Sequence, residues 1–178
     1  MGQVALALFR ERGFEQTTVD EIAAELGIAR RTLFRYFPSK NDIVWGDFDS
    51  VLQRLRAELA SRDPAAPMMD TLREAVVASN TYPVELLGEL RTRITLIMRV
   101  PVLQAHSMLR YEAWRTVVAQ FAADRIGADA EDLTPRALGY AALAASTSAF
   151  AYWVDAPDAD LLSLLDRSYR LLAAGFQI

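Results

Sequence analysis

Apolar residues recur at three- and four-residue intervals along this chain, and no segment alternates as a half-buried strand would. The periodicity predicts helix after helix. Val19, Ile22, Ala23 and Leu26 form one short run that Gly27 interrupts; Leu33 and Phe37 mark a second, stopped by Pro38. A longer helix is expected from Asn41 through Ser61, with Trp45, Phe48, Leu52 and Leu55 on one side. A loop holding Pro64 and Pro67 follows, then helices over Asp70 to Ser79, Val84 to Arg99 and Pro101 to Arg125. Thr134-Pro135 has the form of a cap followed by proline at the first helical position, and Pro157-Asp158 opens the last helix, which Gly175 closes. The expected fold is all-α, with about nine helices.

The two short helices carry the sharpest signal. Thr17 with Asp20, or Thr18 with Glu21, fits a capping box at the start of the first. Gly27 suits a left-handed C-terminal cap, after which Ile28 returns to the core. On the second, Leu33 and Phe37 share one face, while Arg31 and Arg35 lie roughly opposite at about 100° per residue. Two helices joined by a glycine turn, the second one basic, are the parts of a DNA-reading helix-turn-helix. On that reading Arg31, Arg35 and Thr32 face the major groove, and Arg30 reaches a base edge or the backbone. Thr17, Thr18, Tyr36 and Lys40 hold phosphates and set the register. Changing Arg31 should alter preference at one base position; changing Lys40 should weaken all sequences alike.

Residues 4 to 45 resemble the DNA-binding domain of the TetR family of bacterial repressors. The resemblance rests on Phe9, Gly13 and Phe14, on Thr17-Thr18-Val19 with Ile22-Ala23, and on Gly27-Ile28. It continues through Thr32-Leu33-Phe34-Arg35-Tyr36-Phe37 and Lys40. The stretch IARRTLFRYFPSKNDIVWGDFD is similar to TetR-like regulators found beside mycofactocin biosynthesis clusters. Two departures stand out. Phe34 replaces the family's usual Tyr and so lacks a hydroxyl for a phosphate, and Tyr36 takes the usual His position and can supply that contact instead. The family also leads one to expect a basic arm ahead of the first helix, where this sequence reads Met1-Gly2-Gln3. The resemblance implies a helix-turn-helix domain over residues 1–45 and an effector-binding and dimerisation domain over 46–178.

Composition narrows the alternatives. The chain has 178 residues, 52% of them hydrophobic, yet no run reaches the roughly 18 apolar residues of a membrane span. No membrane partner is expected, and without a secretory pattern at its start the expected location is cytoplasmic. The formal net charge of −4 sits awkwardly with DNA binding, but the segment from Gly27 to Lys40 has four positive residues and no negative one. A local basic patch suffices, because attraction to phosphate is screened beyond about 10 Å at 0.1 M salt. With no Cys and only His106, cysteine nucleophiles and thiolate sites are excluded, and a Ser-His-Asp triad would need His106 itself. No metal, cofactor or enzymatic activity is expected.

The second half gives two further expectations. Between Leu86 and Leu103 apolar residues point in too many directions for a simple amphipathic helix, which means burial or an internal cavity. An ordinary core explains each residue separately. The family resemblance favours an effector pocket involving Leu87, Arg91, Ile94, Met98, Leu103, Trp114 and Phe150. Apolar walls with arginine at the mouth would suit a small hydrophobic effector, such as an acyl chain with an anionic head. Gly139, Ala142 and Ser146 put small residues at close spacing, and Leu161, Leu165 and Leu172 add a leucine-rich neighbour. These could pack inside the protomer; the resemblance implies a homodimer interface, as two half-sites require. The function expected is a ligand-responsive regulator, a repressor on a double-stranded DNA operator. The alternative is a helical binding or interaction module whose helix-turn-helix serves only as packing.

Overall fold

A computed structural model describes residues Met1 to Gln177, and among these residues the only regular structure is helical. The elements are α1 (Gly2–Arg12), α2 (Val19–Glu25), α3 (Arg30–Tyr36), α4 (Lys40–Trp45), α5 (Phe48–Ala60) and α6 (Met68–Ser79). A 3-10 turn (Val84–Leu86) leads into α7 (Leu87–Arg99), followed by α8 (Pro101–Ile126), α9 (Leu133–Asp155) and α10 (Leu161–Ala173). The all-α expectation holds.

Several boundaries fall where local chemistry puts them. Thr18, rather than Thr17, caps α2: its hydroxyl accepts from the Glu21 amide at 3.2 Å, and the Glu21 carboxylate accepts from the Thr18 amide at 2.7 Å. Hydrogen bonds donated by the Thr18 amide and hydroxyl hold the Glu21 carboxyl below its ordinary range. Gly27, at φ +65°, ends α2 with its amide on Ala24 O and the Ile28 amide on Ala23 O. The long helix expected from Asn41 is instead two, because Gly46 at φ +60° breaks it before Phe48. α9 starts at Leu133, so Pro135 is its third residue, still within the turn that needs no amide partner. α10 starts at Leu161, three residues beyond the expected Asp158, because Asp160 caps it by accepting from the Ser163 amide at 2.8 Å.

The chain forms two compact units. One comprises Met1–Phe48 with Tyr82–Ser107, so residues well beyond the third helix cluster with the N-terminal ones. Within it α1 contacts α2, α4 and α7 around buried Leu6, Phe9, Ile22, Leu33 and Ile43. Burying each such side chain contributes about 1.5–3 kcal/mol against conformational entropy. The Phe9 and Phe14 rings meet at 4.9 Å.

The other unit comprises Asp49–Thr81 and the chain from Met108 onward. Its main contact is α9 on α10, and α10 also packs on α6. Tyr169 is fully buried there; its hydroxyl donates to Ala142 O at 3.0 Å and lies 2.9 Å from the Ser146 hydroxyl. The Arg125 guanidinium fixes the proline loop by donating to the carbonyls of Asp63, Pro64 and Ala66.

Candidate nucleic-acid interface

α3 is anchored by one side chain and spread open by the others. Leu33 is 1% exposed, while Arg30, Arg31, Phe34, Arg35 and Tyr36 are all exposed and Thr32 is half-buried. The three arginines differ in their partners. Arg30 is held by Asp20 of α2 at 3.1 Å and sits over the Phe34 ring at 5.4 Å. Arg35 stacks on Tyr36 at 5.2 Å and donates to its hydroxyl at 3.4 Å. Arg31 makes no hydrogen bond, ion pair or ring contact among the described residues. Arg31 is therefore presented without a partner to displace.

The expected phosphate contacts divide. Thr17 is fully buried, and its hydroxyl donates to Gly13 O at 2.8 Å; its side chain ties the α1–α2 turn together and cannot reach a phosphate. That expectation is corrected: a buried hydroxyl spends its hydrogen-bonding capacity inside the fold. Thr18 is exposed but occupied by its capping box. Lys40 is half-buried, its ammonium 4.2 Å from the Phe14 ring centre and 3.5 Å from Glu15 O, and burial pushes its pKa down. It braces α4 against the α1–α2 turn.

Behind this surface, α7 reaches back to α4. The Arg93 guanidinium donates to Ile43 O at 3.2 Å and to Val44 O, and it pairs with Glu89 at 2.9 Å. It fills the space beside Gly46, where an added Cβ would lie 2.8 Å from Arg93 Nη1. A cation on the terminal carbonyls of α4 also meets the negative end of that helix dipole. His106, at the start of α8, adds a contact 3.7 Å from Asp42. No group of three metal-ligating residues occurs among the described residues.

The expected effector residues are placed unevenly. Leu87, Arg91, Ile94 and Met98 are half-buried, and α7 fully buries only Ile97. Phe150 is also half-buried. Leu103 is fully buried and Trp114 nearly so. Leu103 has no exposed surface and packs here as core. A cleft of about 200 Å³ between α1 and the start of α7, lined by Gln3, Leu6, Arg10, Glu85 and Glu89 among others, contains none of the expected residues.

The sequence matches the bacterial regulatory proteins of the tetR family over residues 3–44 and the MftR C-terminal domain over residues 66–177. The chain belongs to the TetR family. Among its relatives is a Mycobacterium tuberculosis protein named for mycofactocin biosynthesis regulation, MftR; it is 38% identical over 98% of this chain and 88% of that protein. The regulator TcmR of Streptomyces glaucescens is 30% identical over 72% of this chain and 59% of its own length. Among solved structures, FadR of Bacillus halodurans matches with a TM-score of 0.70 at 17% identity, over 98% of this chain and 96% of that one. FadR of Thermus thermophilus, solved with lauroyl-CoA, matches at 0.61 with 22% identity over 99% and 93%. FadR of Bacillus subtilis, solved with stearoyl-CoA, matches at 0.66 with 18% identity over 98% and 96%. At these identities the structures establish the fold alone. The chain is thus a TetR-family helix-turn-helix transcriptional regulator.

Within this TetR-family fold the expected dimer residues are mostly spent inside the protomer. Gly139, Ala142, Ser146, Leu161 and Leu165 are buried, and only Leu172 is half-buried. A Cβ on Gly139 would lie 3.0 Å from Arg115 O, so the missing side chain lets α9 lie close against α8. Ser146 is taken by Tyr169. For Gly139 and Ser146 the close neighbour is a helix of the same chain. Two features escaped the sequence reading, Gly46 as a break and Arg93 as its plug. A glycine inside a predicted helix was the available signal.

Proposed function

We propose that this chain is a repressor that works as a homodimer, reads a two-fold operator with paired α3 helices, and releases it when a hydrophobic effector binds. The observation that carries the reading is α3 itself, with Arg31 unpartnered and exposed opposite the buried Leu33. Arginine forks match guanine O6 and N7, each good pair contributing about 1–3 kcal/mol of discrimination. Arg35 and Thr32 flank it, while Thr18 and Tyr36 contact the backbone. Residues 1–45 read DNA, and residues 46–178 bind effector and pair. The setting is the cytoplasm, where DNA is accessible; no helix among the described residues is long and apolar enough to cross a membrane.

The effector reading is supported by the half-exposed apolar side chains of α7, Leu87, Ile94 and Met98, with Arg91 on the same helix. Acyl-CoA bound to structurally similar regulators fits an apolar wall with a cation beside it. Arg93 provides the route to DNA, because any shift of α7 pulls on the carbonyls of α4 just before the Gly46 break. A coupling free energy of about 1–3 kcal/mol is enough for a ~5–150-fold loss of affinity.

Dimerisation now falls to the outer face of α9, where Tyr140, Ala144, Ser148 and Tyr152 are exposed at four-residue intervals. Titrating lauroyl-CoA and stearoyl-CoA into the protein–operator complex tests the switch. Release by either, and its loss in Arg93→Ala while free-protein affinity persists, is the expected result. Binding of both without any change in operator affinity would remove acyl-CoA as effector.

A further inference from the structure

Phe34 is an apolar ring set on a cationic surface, and the protomer leaves it 36% exposed. It lies three residues after Arg31, about 60° around the helix and ~4.5 Å along it, on the same outward arc. Arg30 is braced over this ring at 5.4 Å by two hydrogen bonds to Asp20, at 3.1 and 3.3 Å. The position next to the free arginine is thus filled by a phenyl group whose own orientation is supported from behind. A phenyl group has no donor or acceptor. Among the base edges of the major groove, the one feature it recognises is the C5-methyl of thymine.

We propose that Phe34 reads a thymine methyl in each operator half-site, within about one or two base pairs of the guanine read by Arg31. This rests on the DNA-reading assignment above and adds the identity of a second base. Arg30, engaged by Asp20 and the ring, acts as a brace in this arrangement, and the half-site is specified by a guanidinium and a phenyl side by side.

The test begins with an operator selected by the wild-type protein from random duplex oligonucleotides. Each thymine is then replaced in turn by deoxyuridine, which removes only the methyl, and affinity is measured by fluorescence anisotropy for wild type, Phe34→Ala and Phe34→Leu. One deoxyuridine in a single half-site should weaken wild type about fourfold, the effect of losing one buried methyl. The same replacement should leave Phe34→Ala unchanged, while Phe34→Leu keeps part of the sensitivity. If a selected operator shows no methyl dependence, or if Phe34→Ala retains it in full, the assignment of Phe34 is overturned while DNA reading stands. Selection of no sequence at all overturns both.

Discussion

Helices α3 and α9 both carry strong sequence patterns, and they differ in what the pattern determines. On α3, one buried stripe faces a row of guanidinium groups. A charge that cannot be buried cheaply must face water or a partner, so the exposed side of α3 follows from the residues themselves. On α9, Gly139, Ala142 and Ser146 demand a close neighbour without saying which one. The neighbours are α8 and α10 of the same chain. Charge fixes a direction; smallness fixes only a distance.

The comparison breaks most visibly at Arg31. Arg31→Ala should lower operator affinity by at least tenfold, since each half-site loses about 1–3 kcal/mol of discrimination, and thermal stability should stay unchanged. Gly139→Leu should act the opposite way. It forces α9 from the Arg115 carbonyl, costs about 1–3 kcal/mol as overpacking, and lowers Tm to the same extent at all protein concentrations. A Tm loss that disappears on concentrating the protein would instead put Gly139 in the dimer contact.

Tyr169→Phe sharpens the picture of the α9–α10 packing. It strands the Ser146 hydroxyl and should cost about 1 kcal/mol by denaturant unfolding. Burial raises the folded Tyr169 pKa above its ordinary value. The folded state therefore disfavours the phenolate, and this stabilisation is intact below about pH 10 and lost as pH rises beyond it. Phe at this position should remove that part of the alkaline loss. The smallest effect is expected at Arg30: its pair with Asp20 is exposed, so Asp20→Asn should change stability by less than about 1 kcal/mol.

The same physical distinction explains what was legible beforehand. Helical periodicity gave the all-α class, and the Thr18–Glu21 spacing and Gly27 located α2, because capping is local chemistry. Thr17 misled because it is adjacent to a true cap and equally polar; only tertiary packing places it under the α1–α2 turn. Gly46 was absorbed into a helix because the apolar positions on both sides keep one period. Arg93 gave no signal of its own, because sequence cannot show that its guanidinium lies against carbonyls fifty residues earlier. Leu103 meets a related limit, since core and chamber walls have the same composition.

The most direct measurement is the base preference of wild type and Arg31→Ala, determined side by side by selection from random duplex DNA. The account predicts paired half-sites about one helical turn apart for wild type, with a single position in each relaxed by the substitution. Enrichment of no sequence, or identical preferences from the two proteins, would contradict it.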